Sequence, residues 1–510
     1  MHMSSPTSPE PSPAPVTGDL GQRLYRGILA ALLLYFVAKL LFFAVSIRPE
    51  LPPDEVTHIG RAHLFAQALW IPDDGPATWR YGLIEGKPFL YYVLMGKTLQ
   101  LFGWLPLSDV LLLRLVNAVL GLVTVLYGLR WIRLMTPNRI VHLLFAAILT
   151  NILMFTGICA AVSYDNLTNA LAAMALFYTF AFFRDRSAES LAKGQLALAA
   201  GALTKFTFLP LLFIVEVVLV AREGRRLAGT WSEVRAALRP AQGARGRRVL
   251  FAVTAVVGFG AAGFYGTNLL VFGHLTPKPE QVLTLEQAMQ NRIFARNFIV
   301  KQFKEGNLTY EQAVELTRGI HNPGNRHRAR NLLALARDPD RLQASLMGPV
   351  EYVWAWGNFM LADGLGYHGH KVMRKWGKDL YPVLILLLLV LVLFIRKWQP
   401  EDAGGGWTAA AIIAFFYAMV LLWVVNYRVY LGSGMLDYAL QGRYIFPVLI
   451  PIVGIVAYYL VAFLPRRSQV LVALLVGGYF VYGELPFFLD HSNRAWFSAG
   501  LTMDSAGLEE

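Results

Sequence analysis

The chain has 510 residues, 56% of them hydrophobic and only 15% charged, with a formal net charge of +13 and a mean hydropathy of +0.46. A soluble protein must cover its surface with polar side chains, so this composition excludes a soluble enzyme, a coiled coil and a disordered scaffold. The positive charge sits in short segments between apolar runs, which marks membrane topology rather than nucleic-acid binding. A lone cysteine, Cys159, leaves no intrachain disulfide and no cysteine-based zinc site.

Residues 1–26 read as a Ser/Pro-rich cytoplasmic tail that packs no core, with no cleavable leader apparent. The first apolar run covers 27–46. Ten more follow at 109–129, 140–161, 167–183, 187–203, 206–221, 249–271, 380–396, 408–426, 444–463 and 469–486. Each is read as a helix crossing a hydrocarbon core of about 30 Å. The expected fold is therefore an all-α polytopic membrane protein with eleven transmembrane helices.

Eight arginines between 222 and 248 set the cytoplasmic side, and Arg130, Arg133, Arg139, Arg184, Arg186, Lys193, Arg396, Lys397, Arg466 and Arg467 agree with it. The stretch 88–104 holds Lys97 and Gln100 and reads as an interfacial helix on the outer surface. A crossing there would carry the arginine-rich loop outside. The N-terminus is then cytoplasmic and the C-terminus lies outside a plasma membrane. The organisation becomes a tail (1–26), an N-terminal transmembrane module (27–271) with an outer loop (47–108), a helical outer segment (272–379), C-terminal transmembrane helices (380–486) and an outer tail (487–510). Within the outer segment, 286–303 is the clearest amphipathic stretch.

The outer face carries the chemistry. Pro52-Pro53 stops the first helix and is followed by Asp54, Glu55 and His58. A carboxylate of such a pair suits a general base, and Asp54 equally suits an N-cap for a helix over 55–70. Glu85-Gly86-Lys87-Pro88 offers Lys87 either to a lipid phosphate or to ordinary snorkelling, with Glu85 as its partner or as a metal ligand. Asp165 either caps the helix from Leu167 or serves a site, and Lys205 turns between two apolar helices with little loop to hold it in water. Arg428 and Arg443 stand at outer span ends, where arginine is statistically unexpected and where bidentate phosphate binding suits it. His274, His321, His327, His368 and His370 read as solvated histidines, and a His368–His370 pair with Glu85 is a loose metal pattern.

Taken in order, Pro-Asp-Glu after one span, Glu-x-Lys-Pro before an aromatic helix, Asp165 at a span end, Thr204-Lys205 and then an arginine-rich loop resemble the GT-C superfamily of polyprenyl-phosphate-sugar glycosyltransferases. The likeness covers roughly the first 270 residues, and its register is similar to that of lipid A aminoarabinose transferases and, more distantly, protein O-mannosyltransferases. Gln441-Gly442-Arg443-Tyr444-x-x-Pro447 resembles instead a group of uncharacterised bacterial membrane proteins with the same Pro-Pro-Asp-Glu start. The resemblance implies a GT-C-like fold, a polyprenyl-phosphate sugar donor, and a glycan, lipid or protein acceptor approaching from outside. It implies Asp54 as general base, Glu55 and Asp165 as catalytic support, and Lys87, Lys205, Arg428 and Arg443 as ligands of the donor phosphate. His58, Glu85 and Tyr444 would stand in support. In the aminoarabinose branch Glu-Lys-Pro is contiguous, whereas here Gly86 intervenes, so neither a metal nor another cofactor is assigned. The competing readings are a lipid-linked sugar or polysaccharide transporter and a polysaccharide polymerase or ligase. A transporter favours repeat symmetry and broken helices at the membrane midplane. Here the polar residues gather at one face.

Overall fold

A computed structural model describes residues 17–238, 245–320, 322–369, 372–375, 380–397, 406–438 and 440–498. The tail to residue 16, residues 239–244 of the arginine-rich loop, His321, His370 and residues 499–510 lie outside them.

The expected tail is shorter than its sequence boundary, because helix α1 (Thr17–Ser46) begins ten residues before 27. Beyond the Pro52-Pro53 stop come α2 (Glu55–Gln67) and α3 (Leu90–Phe102). These two pack closely, since a Cβ on Gly96 would overlap the Phe65 backbone. Thirteen residues give α3 a length of only about 20 Å, too short to cross a bilayer.

The chain then runs through α4 (Asp109–Met135), α5 (Arg139–Leu149), α6 (Leu153–Cys159), α7 (Tyr164–Asp185), α8 (Ala188–Thr204), α9 (Leu209–Leu238) and α10 (Arg245–Phe272). Ser108, Asn138, Ser163 and Ser187 cap α4, α5, α7 and α8 with side-chain oxygens that accept from first-turn amides. The outer segment follows as α11 (Pro279–Val282), α12 (Leu285–Met289), α13 (Arg292–Lys304), α14 (Tyr310–Leu316), α15 (Pro323–Arg337), α16 (Pro339–Ser345) and α17 (Pro349–Leu365). The amphipathic stretch 286–303 is thus two helices, parted where Asn291 caps α13 through the amides of Ile293 and Phe294. A small antiparallel hairpin, β1 (Tyr367–His368) with β2 (Val372–Met373), interrupts the otherwise helical chain. Last come α18 (Tyr381–Lys397), α19 (Gly406–Met419), a π-helical stretch (Val420–Tyr427), α20 (Arg428–Ser433), a 3₁₀ stretch (Gly442–Val448), α21 (Leu449–Val461), α22 (Arg466–Tyr482) and α23 (Leu485–His491).

Among the described residues seven helices are long and apolar enough to cross a membrane, and eight if α5 and α6, bent by 70° at their break, count as one span. This is fewer than the eleven expected. Helices α8 and α18 have 17 residues each, about 26 Å against a core of about 30 Å. In α9 the apolar run gives way to Glu216, Arg222 and Glu223.

Two tertiary ties fix the bundle. The bend between α5 and α6 frees the Thr150 carbonyl, and Lys39 of α1 donates to it at 2.6 Å, to Asn151 Oδ1 at 2.8 Å and to Glu484 at 2.7 Å. Both charges are fully buried, and each needs the other, because an unpaired ion in this core would cost several kcal/mol, roughly 3–5. The second tie is a clasp. Ile47 bridges Phe497, the Arg48 amide donates to Trp496 and the Ser498 amide to Ser46. Residues 494–498 therefore lie against the start of the Pro-Pro-Asp-Glu loop.

Candidate active site

The site begins with an unusual backbone. Asp54 has φ 58°, in the left-handed region that costs a non-glycine residue about 1–2 kcal/mol. Its side chain makes no capping bond to α2, so the N-cap reading fails. The adjoining Glu55 holds the bend in place. Glu55 is fully buried; its carboxylate accepts from Arg114 Nε (2.8 Å) and Nη2 (2.6 Å) and from the Val162 amide (2.7 Å). Arg114 Nη1 also donates to the carbonyls of Ala44 (2.9 Å) and Ile47 (2.7 Å). One buried pair thus ties the end of α1, the start of α2, α4 and the α6–α7 turn together. Its carboxylate is wholly engaged in these contacts, next in the chain to Asp54.

Held this way, the Asp54 carboxylate is 42% exposed and lies 3.4 Å from Arg443 Nη2. Arg443 continues inward, with Nε 3.2 Å from Asp165 Oδ2, and Asp165 Oδ1 accepts from Lys205 at 2.5 Å. Asp165 does not cap α7, which Ser163 does; from the first turn it faces inward instead. Lys205 sits 4.4 Å over the Tyr164 ring and 5.2 Å over that of Tyr444. Of the residues expected from sequence, Asp54, Asp165, Lys205, Arg443 and Tyr444 are therefore brought together from the loop before α2, the start of α7, the end of α8 and the 3₁₀ entrance to α21. Arg443 owes its place to Gly442. A Cβ there would drive into the Gly364 backbone of α17, and the Gly442 amide donates to Asp363 Oδ2 at 2.8 Å. Arg443 is 4% exposed, and its Nη1 has no hydrogen-bond acceptor among the described residues. Gly442 also lines an apolar cavity of about 330 Å³ with Met360, Leu361, Gly364, Phe446 and Leu449.

His58 is buried among Tyr91, Tyr92 and Tyr164 and shares a 2.8 Å hydrogen bond with the Tyr92 hydroxyl. Burial outweighs the nearby Asp54 and pushes its pKa down to about 3, which keeps the imidazole neutral.

Three expected residues stand apart. Lys87 donates to the Pro277 carbonyl at 2.7 Å rather than to Glu85, whose carboxylate is exposed. Burial and then the neighbouring Arg61 push Lys87 down to about 8. Arg428 is exposed and makes no ion pair or hydrogen bond among the described residues. It does not end a span: the helix runs on through α20 to Ser433. No group of three His, Cys, Asp or Glu side chains is placed to hold a metal among the described residues.

Four residues of the site were not singled out in the sequence. Arg114 had a signal, a charge inside an apolar run. Arg61 had another, since Asp54, His58 and Arg61 share one helical face; its Nη1 reaches the Tyr92 hydroxyl at 3.4 Å. Asp363, which fixes Gly442, and Arg292, whose Nη2 lies 3.6 Å from Asp54 Oδ1, had none.

No protein-family profile matches the chain, and no curated protein matches it either. Among solved structures it is similar to the apo oligosaccharyltransferase of Archaeoglobus fulgidus, with a TM-score of 0.47, 13% identity, and coverage of 92% of this chain and 56% of that one. A second match is the same organism's oligosaccharyltransferase AglB with an inhibitory peptide and a dolichol-phosphate, at TM-score 0.43 and 12% identity over 89% of this chain and 54% of that one. A third is apo ArnT of Cupriavidus metallidurans, at TM-score 0.35 and 14% identity over 89% and 77%. The chain thus spans about half the length of the oligosaccharyltransferases it matches.

Proposed function

We propose that this protein is a GT-C-type membrane glycosyltransferase that moves a sugar from a polyprenyl phosphate to an acceptor hydroxyl at the outer face of the plasma membrane. The observation that carries the reading is Arg443, a buried guanidinium with an unclaimed Nη1, set between a partly exposed Asp54 and the Asp165–Lys205 pair. A buried donor without an acceptor costs about 1–3 kcal/mol, and an anionic ligand would remove that cost. The ordered motifs of the sequence support the same assignment.

In this reading Asp54 takes the proton of the acceptor hydroxyl as its oxygen bonds to the anomeric carbon. The bond from that carbon to the phosphate oxygen breaks, and polyprenyl phosphate departs with the electron pair. Arg443 and Lys205 stabilise the charge gathering on the phosphate, an electrostatic contribution that preorganised cations supply without reorganising. Asp165 orients both cations, and Glu55 positions Asp54 through Arg114. Lys87, outside this cluster in the structure, is proposed to reach the phosphate from its edge. The apolar cavity beside Gly442 suits the prenyl chain. Arg428 is dropped from the set on its exposure.

The proposed topology keeps eleven crossings, with the N-terminus inside and the C-terminus outside. Its support is the pairing of helix ends. Lys205 at the end of α8 meets Asp165 at the start of α7, and Glu223, halfway along α9, pairs with Arg186 at the end of α7. Near its proposed cytoplasmic end, α18 sets Phe394 edge-on against Tyr459 of α21. Helix α8 and the first half of α9 thus lie between the two ends of α7, which supports counting both as crossings. Asp54→Asn is expected to abolish sugar transfer in a membrane assay with lipid-linked sugar, and retention of near wild-type transfer would remove Asp54 as the base.

A further inference from the structure

Both oxygens of Asp54 face arginines: Oδ2 lies 3.4 Å from Arg443 and Oδ1 3.6 Å from Arg292. Arg292 comes from a different part of the chain, the first turn of α13 in the outer segment, and its position is built rather than incidental. The preceding Asn291 caps α13 with its side-chain oxygen, and its amide nitrogen donates to the Arg80 carbonyl at 3.1 Å. Phe294 then packs against Leu83 and Leu283. The outer segment is thereby pinned to the outer loop with Arg292 over Asp54.

Among the described residues, Asp54 and Asp165 face the cations Arg292, Arg443 and Lys205. A carboxylate whose oxygens both face guanidinium groups is poorly placed to accept a hydroxyl proton, yet the same two arginines are the natural partners of an arriving phosphate. We propose that Arg292 exchanges partners: it pairs with Asp54 as the structure shows, and with donor bound it and Arg443 turn to the lipid phosphate and release Asp54 to the acceptor. Binding is then ordered, phosphate lipid first and acceptor second, and the outer segment reports donor occupancy to the base. The inference rests on the proposed donor chemistry.

The test is the affinity of the purified full-length protein in lipid nanodiscs for farnesyl phosphate, with farnesol as the uncharged control. Loss of one charge-assisted contact weakens binding by roughly tenfold or more, so Arg292→Gln should bind about tenfold more weakly than wild type. Asp54→Asn should bind more tightly than wild type, because the competing carboxylate is gone, and this gain should shrink in the Asp54→Asn/Arg292→Gln double variant. A merely structural role for Arg292 predicts no such coupling. Wild-type affinity in Arg292→Gln, or an undiminished gain in the double variant, overturns the exchange while leaving the donor assignment standing. If wild type binds farnesyl phosphate no better than farnesol, the donor assignment fails and the exchange with it.

Discussion

Lys87 shows what burial does to a cation at a membrane edge. Half-buried, near Arg61 and donating to the Pro277 carbonyl, it is pushed down to about 8. Below that pH it is an ammonium able to hold phosphate, and above it the charge is lost. Phosphate esters are fully ionised well before this range, their second pKa lying near 6, so the lysine alone sets the slope. Farnesyl phosphate affinity should therefore be flat from about pH 7 to 8 and fall by up to about tenfold per unit above it. Lys87→Arg, which stays charged, should flatten the profile. A wild-type profile level to about pH 9 would place Lys87 outside the phosphate site. His58 behaves oppositely. Its burial keeps it neutral across this range, so its contribution is shape and the Tyr92 hydrogen bond rather than charge.

At the scale of elements, the site depends on how closely α17 meets the entrance to α21. Gly442 and Gly364 allow two backbones to touch, and Asp363 fixes the contact by accepting from the Gly442 amide. The following residue, Arg443, is then delivered to Asp54 and Asp165. In Gly442→Ala the new methyl has only backbone to displace, an overpacking that costs about 1–3 kcal/mol. The variant should melt at a lower temperature and lose farnesyl phosphate binding together, since the strain is applied one residue from the guanidinium. Unchanged melting and binding would mean that α17 does not hold Arg443. The contrast with Arg428 is instructive. Both arginines border apolar runs in the sequence, Arg428 after one and Arg443 before the next, but the π-helical stretch 420–427 shifts the helical phase and carries the helix on to Ser433, leaving Arg428 exposed.

Across the whole molecule, the clasp of Ile47 with Phe497 places the start of the first outer loop and the C-terminal segment on one face. At the other end of the bundle Asn138 hydrogen-bonds Gln469 and Arg186 pairs with Glu223. Cysteine labelling can read this directly, because the native Cys159 is buried. Glu50→Cys and Asp490→Cys, both at exposed positions, should react with a membrane-impermeant maleimide in intact cells. Arg467→Cys should react only after permeabilisation. Labelling of residues 50 and 490 from opposite sides would contradict the clasp, and labelling of 467 in intact cells would overturn the proposed sidedness.

The amino-acid sequence by itself determined the membrane class and offered the candidate side chains Asp54, Asp165, Lys205 and Arg443, because apolar run length and isolated charges are local properties; its eleven spans exceed the seven, or up to eight, helices long and apolar enough among the described residues. It could not tell that Glu55 is sealed by Arg114, that Arg428 faces away or that α12 and α13 are separate helices. Those outcomes depend on phase, on bends and on which backbones touch. Only the tertiary structure decided that Asp54 and Arg443, 389 residues apart, stand 3.4 Å from one another. It alone brought Arg292 from the outer segment to the same carboxylate. The reason is physical: burial per residue can be read along a chain, whereas the meeting of distant charges is fixed by close packing at positions such as Gly442, where the absence of a side chain is what counts.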